Sequence, residues 1–387
     1  MNHCKQCNIG FEITNSHQEF YNRIDVPAPT LCPDCRQQRR LSFRNERNLY
    51  RISCDCCKRT IISIYSPDKK LTVYCNDCWW SDKWDPHSYG KDFDFSRTFF
   101  EQFNDLKANI PNFALLNINS ENSEYTHLET DDKNCYMNFG GHYNEDCYYN
   151  LHALKCQDCV DNYWVDQCRG CYECFKCFSS HNLKFCFWCH NSHDLTFCYD
   201  CKGCSDCFGC TSLRQKQYYF FNKPMTKEGY NKKMNAWVSN TANIDLAKYE
   251  SEILWKSTPR LNLFIEKSQN STGNFLKNCK NCTNCYETDE AEDCTYCDLV
   301  LGLKDCMDCT RMGYRTELCY EVMGATISNN VAFLNFSFNV ISDSRYIDCC
   351  SSIHNCFGCT NLHHKKYCIL NKQYTKGEYD KLVLKII

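Results

Sequence analysis

CRGCYECFKCFS and SHNLKFCFWCHN, residues 168–179 and 180–191, are consecutive rows of a twelve-residue repeat. The rows begin at Asp132, and all fifteen cysteines from Cys135 to Cys210 occupy positions divisible by three. Once per row a small turn-forming residue precedes a small apolar residue, as Gly170 precedes Cys171. A fixed period of this kind is typical of a solenoid and outweighs local secondary-structure propensity.

The length of the repeat limits the shape of each coil. Twelve extended residues make a perimeter of about 40 Å, which suits a flattened coil with two short strands and two turns. Such an interior is too thin for rows of Leu and Phe, so small side chains are expected inside and aromatic ones outside or along an edge. Residues 120–222 are therefore predicted to form a first cysteine-rich β-solenoid.

Two interpretations of the coil cysteines remain open. They can form a buried ladder of small apolar side chains, or C-x-x-C pairs on adjacent rows can offer the four sulfurs of a tetrahedral zinc site. The second interpretation needs a turn inside each pair, because residues i and i+3 of a flat strand point to opposite faces. The candidates for such additional metal are Cys174, Cys177, Cys186, Cys189, Cys198 and Cys201.

The composition limits the cellular compartment in which we expect the protein. The chain has 387 residues, 37 of them cysteine, and a formal net charge of −3. Cysteine richness alone would indicate a secreted disulfide scaffold, but the cysteine count is odd and the first residues lack a signal-peptide pattern. No apolar run approaches the roughly 20 residues that span a bilayer. We therefore expect a cytoplasmic protein with no membrane partner.

Four C-x-x-C pairs in the first 78 residues form a strong zinc signal. Sequential pairing gives two structural zinc ions, and four thiolates on each ion leave no open position for catalysis. Crossed pairing is possible, and Cys56 is either a substitute ligand or a bystander. The first set is Cys4, Cys7, Cys32 and Cys35, and the second is Cys54, Cys57, Cys75 and Cys78.

The segments between these pairs predict two small folds. A hairpin and loop after Cys7, then a helix from Cys32 to about Tyr50, would make a treble clef. A hairpin formed by residues 61–65 and 71–74 would make a zinc ribbon. A later aromatic helix, from about Ser96 to before Pro111, is expected to join this zinc module to the first coil, so residues 1–115 are predicted to be one module.

Arginines recur at helical spacing after the second cysteine pair. On a helix they would form one narrow stripe, which could bind phosphates bidentately or be an ordinary solvated face. The candidate nucleic-acid-binding residues are Arg36, Arg40, Arg44, Arg47 and Arg51.

The solenoid pattern occurs twice. Residues 207–213 recur as 356–362, at an offset of 149, so residues 269–387 are predicted to be a second cysteine-rich β-solenoid. Residues 223–268 between the copies are expected to be a helical linker or insert that starts near Thr226. The capping box Thr375-x-x-Glu378 predicts a short helix that closes the second copy. The fold class is thus mainly β.

Several motifs resemble one known family. They are RRLSFRNER (39–47), YSPDK (65–69), VYCNDCWWSD (73–82), DFDFSR (92–97) and CFGC (207–210 and 356–359). Together they resemble the uncharacterised cysteine-rich zinc-ribbon proteins of Candidate Phyla Radiation (Patescibacteria) bacteria. The resemblance covers essentially the whole chain and implies a bacterial cytoplasmic setting and N-terminal zinc, but no activity.

The sequence favours a non-enzymatic, zinc-binding scaffold that binds RNA or a protein partner. The alternative is metal storage or thiol redox chemistry by the coil cysteines. We see no phosphate-binding loop, nucleophile elbow or paired-carboxylate motif, and no small-molecule substrate is evident. His127, His142 and His152 lack metal-ligand spacing.

Overall fold

The computed structural model describes residues 2–24, 26–42, 45, 47–238, 242–280, 282, 285–289, 300–301, 307, 332–334 and 341–387. The chain divides into two compact units. Unit 1 comprises Met1–Arg44, Ser81–Pro111 and Leu261–Ile387, and unit 2 comprises Asn45–Trp80 and Asn112–Arg260. Residues 1–115, predicted as one module, are therefore shared between the two units.

The first cysteine module, in unit 1, is a short hairpin followed by two helices. Strand β1 (Asn2–His3) pairs antiparallel with β2 (Gly10–Phe11), and α1 (Asn15–Arg23) and α2 (Pro33–Leu41) follow. Two predictions were wrong here. In place of the hairpin and loop predicted after Cys7, the chain forms β2 and then helix α1, because Thr14 caps α1 by accepting a hydrogen bond from the His17 amide. The helix after Cys32 ends at Leu41, because residues 50–53 form a strand instead.

The second cysteine module, in unit 2, has a similar plan. Strand β3 (Tyr50–Ser53) pairs antiparallel with β4 (Thr60–Ser63); a 3-10 turn (Pro67–Lys69), β5 (Val73–Tyr74) and α3 (Asn76–Trp79) follow. The predicted hairpin between residues 61–65 and 71–74 was wrong, because β4 pairs with β3. Strand β5 pairs in parallel with β6 (Asn112–Phe113), and Trp79 packs edge-on against Phe113.

The aromatic segment of unit 1 contains a 3-10 turn (Pro86–Tyr89) and helix α4 (Phe99–Asn109). Thr98 and Glu101 form a capping box at the start of α4. The ring of Phe99 lies 4.9 Å from that of Phe357 and 4.7 Å from that of Tyr346. The expectation that this helix joins the zinc module to the first coil was wrong, because its aromatic face packs on the second set of coils.

Unit 2 contains the first ladder, a series of strands that pair in parallel with the next row. Its strands are β7 (Asn117–Ile118), β8 (Tyr125–Thr130), β9 (Tyr136–His142), β10 (Leu151–Leu154), β11 (Tyr163–Asp166), β12 (Phe175–Phe178), β13 (His181–Lys184), β14 (His193–Thr196), β15 (Ser205–Phe208) and β16 (Gln217–Phe220). Strands β7 to β12 form one sheet and β13 to β16 belong to another, and within each sheet the register between neighbours is twelve residues from β9 onward, as in Leu151↔Tyr163. A final strand, β17 (Lys223–Pro224), turns back antiparallel to β16.

Each coil of the first ladder has four corners. Every third residue from Asn134 to Phe221 has a positive φ, including bulky residues such as Trp164 at 56° and Trp188 at 63°. Hydrogen bonds between coils hold these corners: the amide of Tyr149 donates to the carbonyl of Tyr136 at 2.9 Å, and the same offset recurs along the ladder. The expected flattened coil with two turns was therefore wrong.

The four corners direct every third side chain inward. In the row 168–179 the inward residues are Cys168, Cys171, Cys174 and Cys177, all buried. In three earlier rows one inward position is Asn138, Asn150 or Asn162, and these amides hydrogen-bond to one another from coil to coil at 2.9–3.1 Å. Small side chains therefore fill most of the interior, but the expectation that Leu does not fit was wrong, because Leu183 and Leu195 stack inside on successive coils and are fully buried.

Two helices cover one side of the first ladder within unit 2. Helix α5 (Lys227–Val238) and helix α6 (Ala242–Ser257) lie in the region predicted to be helical. The Thr226 hydroxyl accepts a hydrogen bond from the Gly229 amide at 3.1 Å, as expected for the helix start. Trp237 and Trp255 pack on the outward aromatic rings of the last coils, among them Phe208 and Phe187.

Unit 1 contains the second ladder. Its described strands are β18 (Ile265–Glu266), β19 (Gly273–Lys277), β20 (Cys285–Asp289), β21 (Val300–Leu301), β22 (Ala332–Leu334), β23 (Ile341–Ser342), β24 (Arg345–Asp348), β25 (Ile353–His354), β26 (Phe357–Thr360), β27 (Cys368–Ile369) and β28 (Lys372–Gln373). Most neighbours pair in parallel twelve residues apart, as in Arg345↔Phe357. Helix α7 (Lys376–Ile386) follows, and the predicted capping box of Thr375 and Glu378 is confirmed.

Candidate metal centres

The first four-cysteine cluster joins the hairpin of the first module to a helix start. Cys4 and Cys7 lie on the turn between β1 and β2, and Cys32 and Cys35 flank the first turn of α2. The four sulfur atoms lie within 4.8 Å of one another, with Cys7 Sγ 3.6 Å from Cys32 Sγ. Only Cys7 is exposed.

The pKa values of the cysteines in this cluster indicate that four thiolates require a bound cation. Burial opposes ionisation of Cys4, but backbone amides of Cys7, Cys32 and Gln6 outweigh it and lower the Cys4 pKa to about 6. Burial and the neighbouring thiols raise the Cys35 pKa to about 12. Four thiolates cannot lie this close without a positive ion among them.

The sulfur spacing fits zinc. A tetrahedral ion with Zn–S bonds of about 2.3 Å sets its sulfurs about 3.8 Å apart, close to the observed 3.6 Å between Cys7 and Cys32. With all four positions taken by sulfur, a zinc ion here would stabilise the module and would bind no water.

The second four-cysteine cluster has the same construction. Cys54 and Cys57 lie on the turn between β3 and β4, and Cys75 and Cys78 begin α3. Cys57 Sγ lies 3.8 Å from Cys75 Sγ. A second pair at a helix start is a treble-clef feature, so this site is not built as the zinc ribbon that the sequence predicted.

Arg59 supplies positive charge beside the second cluster. Its Nε donates to Cys57 Sγ at 3.3 Å, and its Nη2 lies 3.5 Å from Cys75 Sγ and 2.6 Å from Asp77 Oδ2. Hydrogen bonding to Arg59 lowers the Cys57 pKa to about 6. Cys56, on the same turn, lies outside the group of four sulfurs. Sequence reasoning missed Arg59, although its place two residues after Cys57 was a possible signal.

The coil cysteines proposed for additional metal are inward and buried. The group comprises Cys174, Cys177, Cys186, Cys189, Cys198 and Cys201. The corner between each pair turns both sulfurs inward, but no three of them form a group of donor atoms within 4.8 Å among the described residues. Their thiols donate instead to backbone carbonyls, as Cys186 Sγ does to Lys184 and Leu195, and burial raises the Cys186 pKa.

The arginine stripe does not form as predicted. Arg36 and Arg40 lie on α2 but are only 4% and 5% exposed, and Arg36 Nη1 donates to the Leu31 carbonyl at 2.7 Å. Arg51 lies on β3, and Arg47 precedes that strand. Arg44 lies outside the described residues. The helix is too short to carry the stripe, and its first two arginines face inward.

The structure brings together one donor group that the sequence analysis did not identify: His181, His193 and Asp194, on the outside of the first ladder. The two histidines are one coil apart, so the twelve-residue period was the missed signal. The histidines considered from sequence do not form such a group among the described residues. His127 is buried and accepts from the Leu116 amide, and His152 contacts the Gly140 carbonyl.

Comparisons with known proteins agree with the first cluster. A family model described as "Probable treble clef domain" matches residues 2–44. No curated protein matches the chain. An unconfirmed acetyltransferase from Desulfovibrio desulfuricans G20 of known crystal structure is 10% identical, with a TM-score of 0.13 over 61% of this chain and 64% of that one. At that TM-score the likeness supports no inference about fold or activity.

The chain therefore carries a treble-clef zinc-binding domain at its N-terminus and a second four-cysteine cluster of matching geometry. Among the described residues, no helix is both long and apolar enough to cross a lipid bilayer.

Proposed function

We propose that the protein is a non-enzymatic scaffold of the bacterial cytoplasm. In this proposal two zinc ions stabilise the cysteine modules, and two β-solenoids with twelve-residue coils present binding surfaces. The twelve-residue registers of both ladders support the solenoid part. The closed four-sulfur clusters support a structural rather than a catalytic role for zinc.

The observation that carries the scaffold proposal is an exposed tyrosine face on the first ladder. It consists of Tyr136, Tyr148, Tyr149 and Tyr172, each more than a third exposed. Tyr136 pairs with Tyr148 one coil away, and the rings of Tyr136 and Tyr149 lie 5.5 Å apart. Tyrosine combines large contact area with a polar end and is enriched in protein interfaces.

Charge around the tyrosine face favours a protein partner with basic groups. Asp161 and Glu173 are exposed at the corners beside it, and Tyr172 Oη donates to Glu173 at 2.9 Å. These two carboxylates outnumber exposed Lys184, which pairs with Tyr172 one coil later, and carboxylates repel a phosphate backbone, so this face favours a basic protein surface over RNA. An RNA-binding version of the proposal depends on the exposed Arg47 and Arg51 of unit 2.

The test is affinity capture from the organism's own lysate with the zinc-loaded protein. We expect replacement of Tyr136, Tyr148 and Tyr172 by serine to abolish capture of a defined partner. Tyr249→Ser, at an exposed tyrosine of α6, should leave capture unchanged. Equal capture by all three proteins would contradict the role of the tyrosine face. If the captured partner is RNA, replacement of Arg47 and Arg51 by glutamine should flatten the salt dependence of binding.

The metal-storage or thiol-redox alternative has less support. Most ladder thiols act as hydrogen-bond donors, and burial raises the pKa of Cys177 and Cys198, whereas hydrogen bonds from the thiols of Cys189, Cys198 and Cys204 lower the pKa of Cys201. A buried, protonated thiol is a poor metal ligand and a poor nucleophile. Metal well beyond two ions per chain, lost on replacement of ladder cysteines, would favour this alternative.

A further inference from the structure

His181 and His193 occupy equivalent positions on successive coils of the first ladder. They pair directly in the parallel register of β13 and β14. Their rings are 4.8 Å apart at the centroids and differ by 4° in orientation, so the two imidazoles present nitrogen atoms along the same side of the coil. His181 is exposed and His193 is partly exposed, which leaves room for an ion from solvent.

Asp194 completes a three-residue donor group. It lies at a corner with φ of 55°, which turns its carboxylate back toward the neighbouring ring. Its Oδ2 lies 2.8 Å from His193 Nδ1, and its Oδ1 accepts a hydrogen bond from Asn182 Nδ2 one coil earlier. The imidazole and Asn182 together fix the direction of the carboxylate before any ion arrives.

The surrounding charge does not oppose a cation. Arg169, one coil before His181 at the same position, lies 3.6 Å from Asp158 and is paired with it. Ser205 occupies the same position one coil after His193.

We propose that His181, His193 and Asp194 form a third metal site of a different class, a solvent-facing site for a borderline divalent cation such as zinc. Two imidazoles and a carboxylate suit zinc, cobalt and nickel, and three protein ligands leave a position open to water or to a partner's ligand. The ion takes the place of the proton between His193 and Asp194. Ligands on one such ion lie about 3 Å apart, and an imidazole binds an ion in the plane of its ring, so the group, within 4.8 Å now, requires the exposed His181 ring to rotate out of its parallel stacking with His193.

The test uses the full chain with both four-cysteine sites already filled with zinc. Nickel is then titrated calorimetrically, and bound ions are counted by mass spectrometry. Nickel is used because it binds imidazole well, while zinc already fills the thiolate sites. We expect one nickel ion per wild-type chain, displaced by excess zinc. His193→Ala should bind none, and His364→Ala, at an exposed histidine of the second ladder, should bind as wild type.

Asp194→Asn guards against a folding artefact, because asparagine tolerates the same backbone corner and keeps the size of the side chain. We expect it to weaken nickel binding about tenfold or more with an unchanged circular dichroism spectrum. The proposal would be overturned if the His193→Ala and Asp194→Asn variants both bound nickel as the wild type does. It would also be overturned if the wild type bound no nickel.

Discussion

Lys107 Nζ lies 2.6 Å from Asp348 Oδ2, and this ion pair joins α4 to β24 inside unit 1. The two side chains are 26% and 10% exposed. Burial opposes the charge of Lys107, but Asp348 outweighs it and raises the Lys107 pKa. The pair holds the aromatic helix on the second ladder at a point where neither charge is well hydrated.

Removing one partner of this pair should be costly. Lys107→Met keeps the length of the side chain but removes the cation that pairs with the largely buried Asp348 carboxylate, so we expect a loss of about 3 kcal/mol in the free energy of unfolding. Urea denaturation measures it. The matched control is Arg97→Gln, which breaks the exposed pair with Asp105 and should change the unfolding midpoint little. Equal effects of the two changes would contradict this prediction.

Gly141 is required where Glu129 fills the coil interior. A Cβ at Gly141 would overlap the Ala153 carbonyl oxygen and lie 2.8 Å from Glu129 Oε2. Since a backbone atom cannot move aside cheaply, Gly141→Ala should lower stability by at least about 2 kcal/mol. Gly377→Ala in α7, where a Cβ meets no atom within 4 Å, should be neutral or slightly stabilising. Thermal melts of the two variants, compared with wild type, decide the prediction.

Glu129 should make stability depend on pH. Burial, followed by the Asp132 charge, raises the Glu129 pKa well above its ordinary value. Its contribution is therefore most favourable below the unfolded pKa of about 4.3 and is lost as the pH rises through the folded pKa. We expect Glu129→Gln to stabilise the protein at pH 7 and to have little effect near pH 4. Exposed Glu121→Gln should show no such gain at either pH.

Zinc content should follow the two clusters. We expect two zinc ions per chain after purification under reducing conditions and dialysis that strips the weaker surface site. Cys78→Ser should leave one. Cys56→Ser should keep both, because Cys56 lies outside the group of four sulfurs. Loss of an ion from Cys56→Ser would instead make Cys56 a ligand.

Arg59 should strengthen the second zinc site. Its guanidinium contacts two of the four sulfurs, so it offsets the negative charge of a zinc–tetrathiolate centre. Arg59→Gln should lower zinc affinity about tenfold, measured by competition with a chromogenic chelator. Lys69→Gln, in the same module, is the control and should leave the zinc affinity unchanged. Arg59→Lys keeps the positive charge, so an unchanged affinity in that variant would assign the effect of Arg59 to its charge.

The period of the ladder, its buried cysteines and both four-cysteine clusters follow from sequence, because each depends on residue spacing alone. The helix caps at Thr98, Thr226 and Thr375 are equally local, and the helix starts at Thr226 and Thr375 were predicted. The four corners were not, because residues such as Trp164 and Lys176 have no preference for positive φ. Hydrogen bonds from neighbouring coils impose those corners.

The end of the arginine stripe and the packing of α4 on the second ladder depend on long-range contacts, which sequence patterns do not predict. Residues 50–53 continue the helical arginine spacing, yet they pair with β4, which ends the stripe. The Phe99 side of α4 has ordinary core spacing, and nothing in that spacing distinguishes the second ladder from the first. The His181 and His193 pair, in contrast, was visible as two histidines twelve residues apart.

Because each side of a coil is three residues long, the inward or outward direction of every side chain in the ladder depends on its position in a three-residue count. Deleting one residue from the first ladder would turn every later thiol toward solvent and bring outward aromatic side chains inside. Deleting three residues between His181 and His193 would keep the thiols inside but rotate all later rows by one side, which would separate the two histidines. Only the loss or gain of twelve preserves both, so natural length variants of the ladder should differ by whole coils.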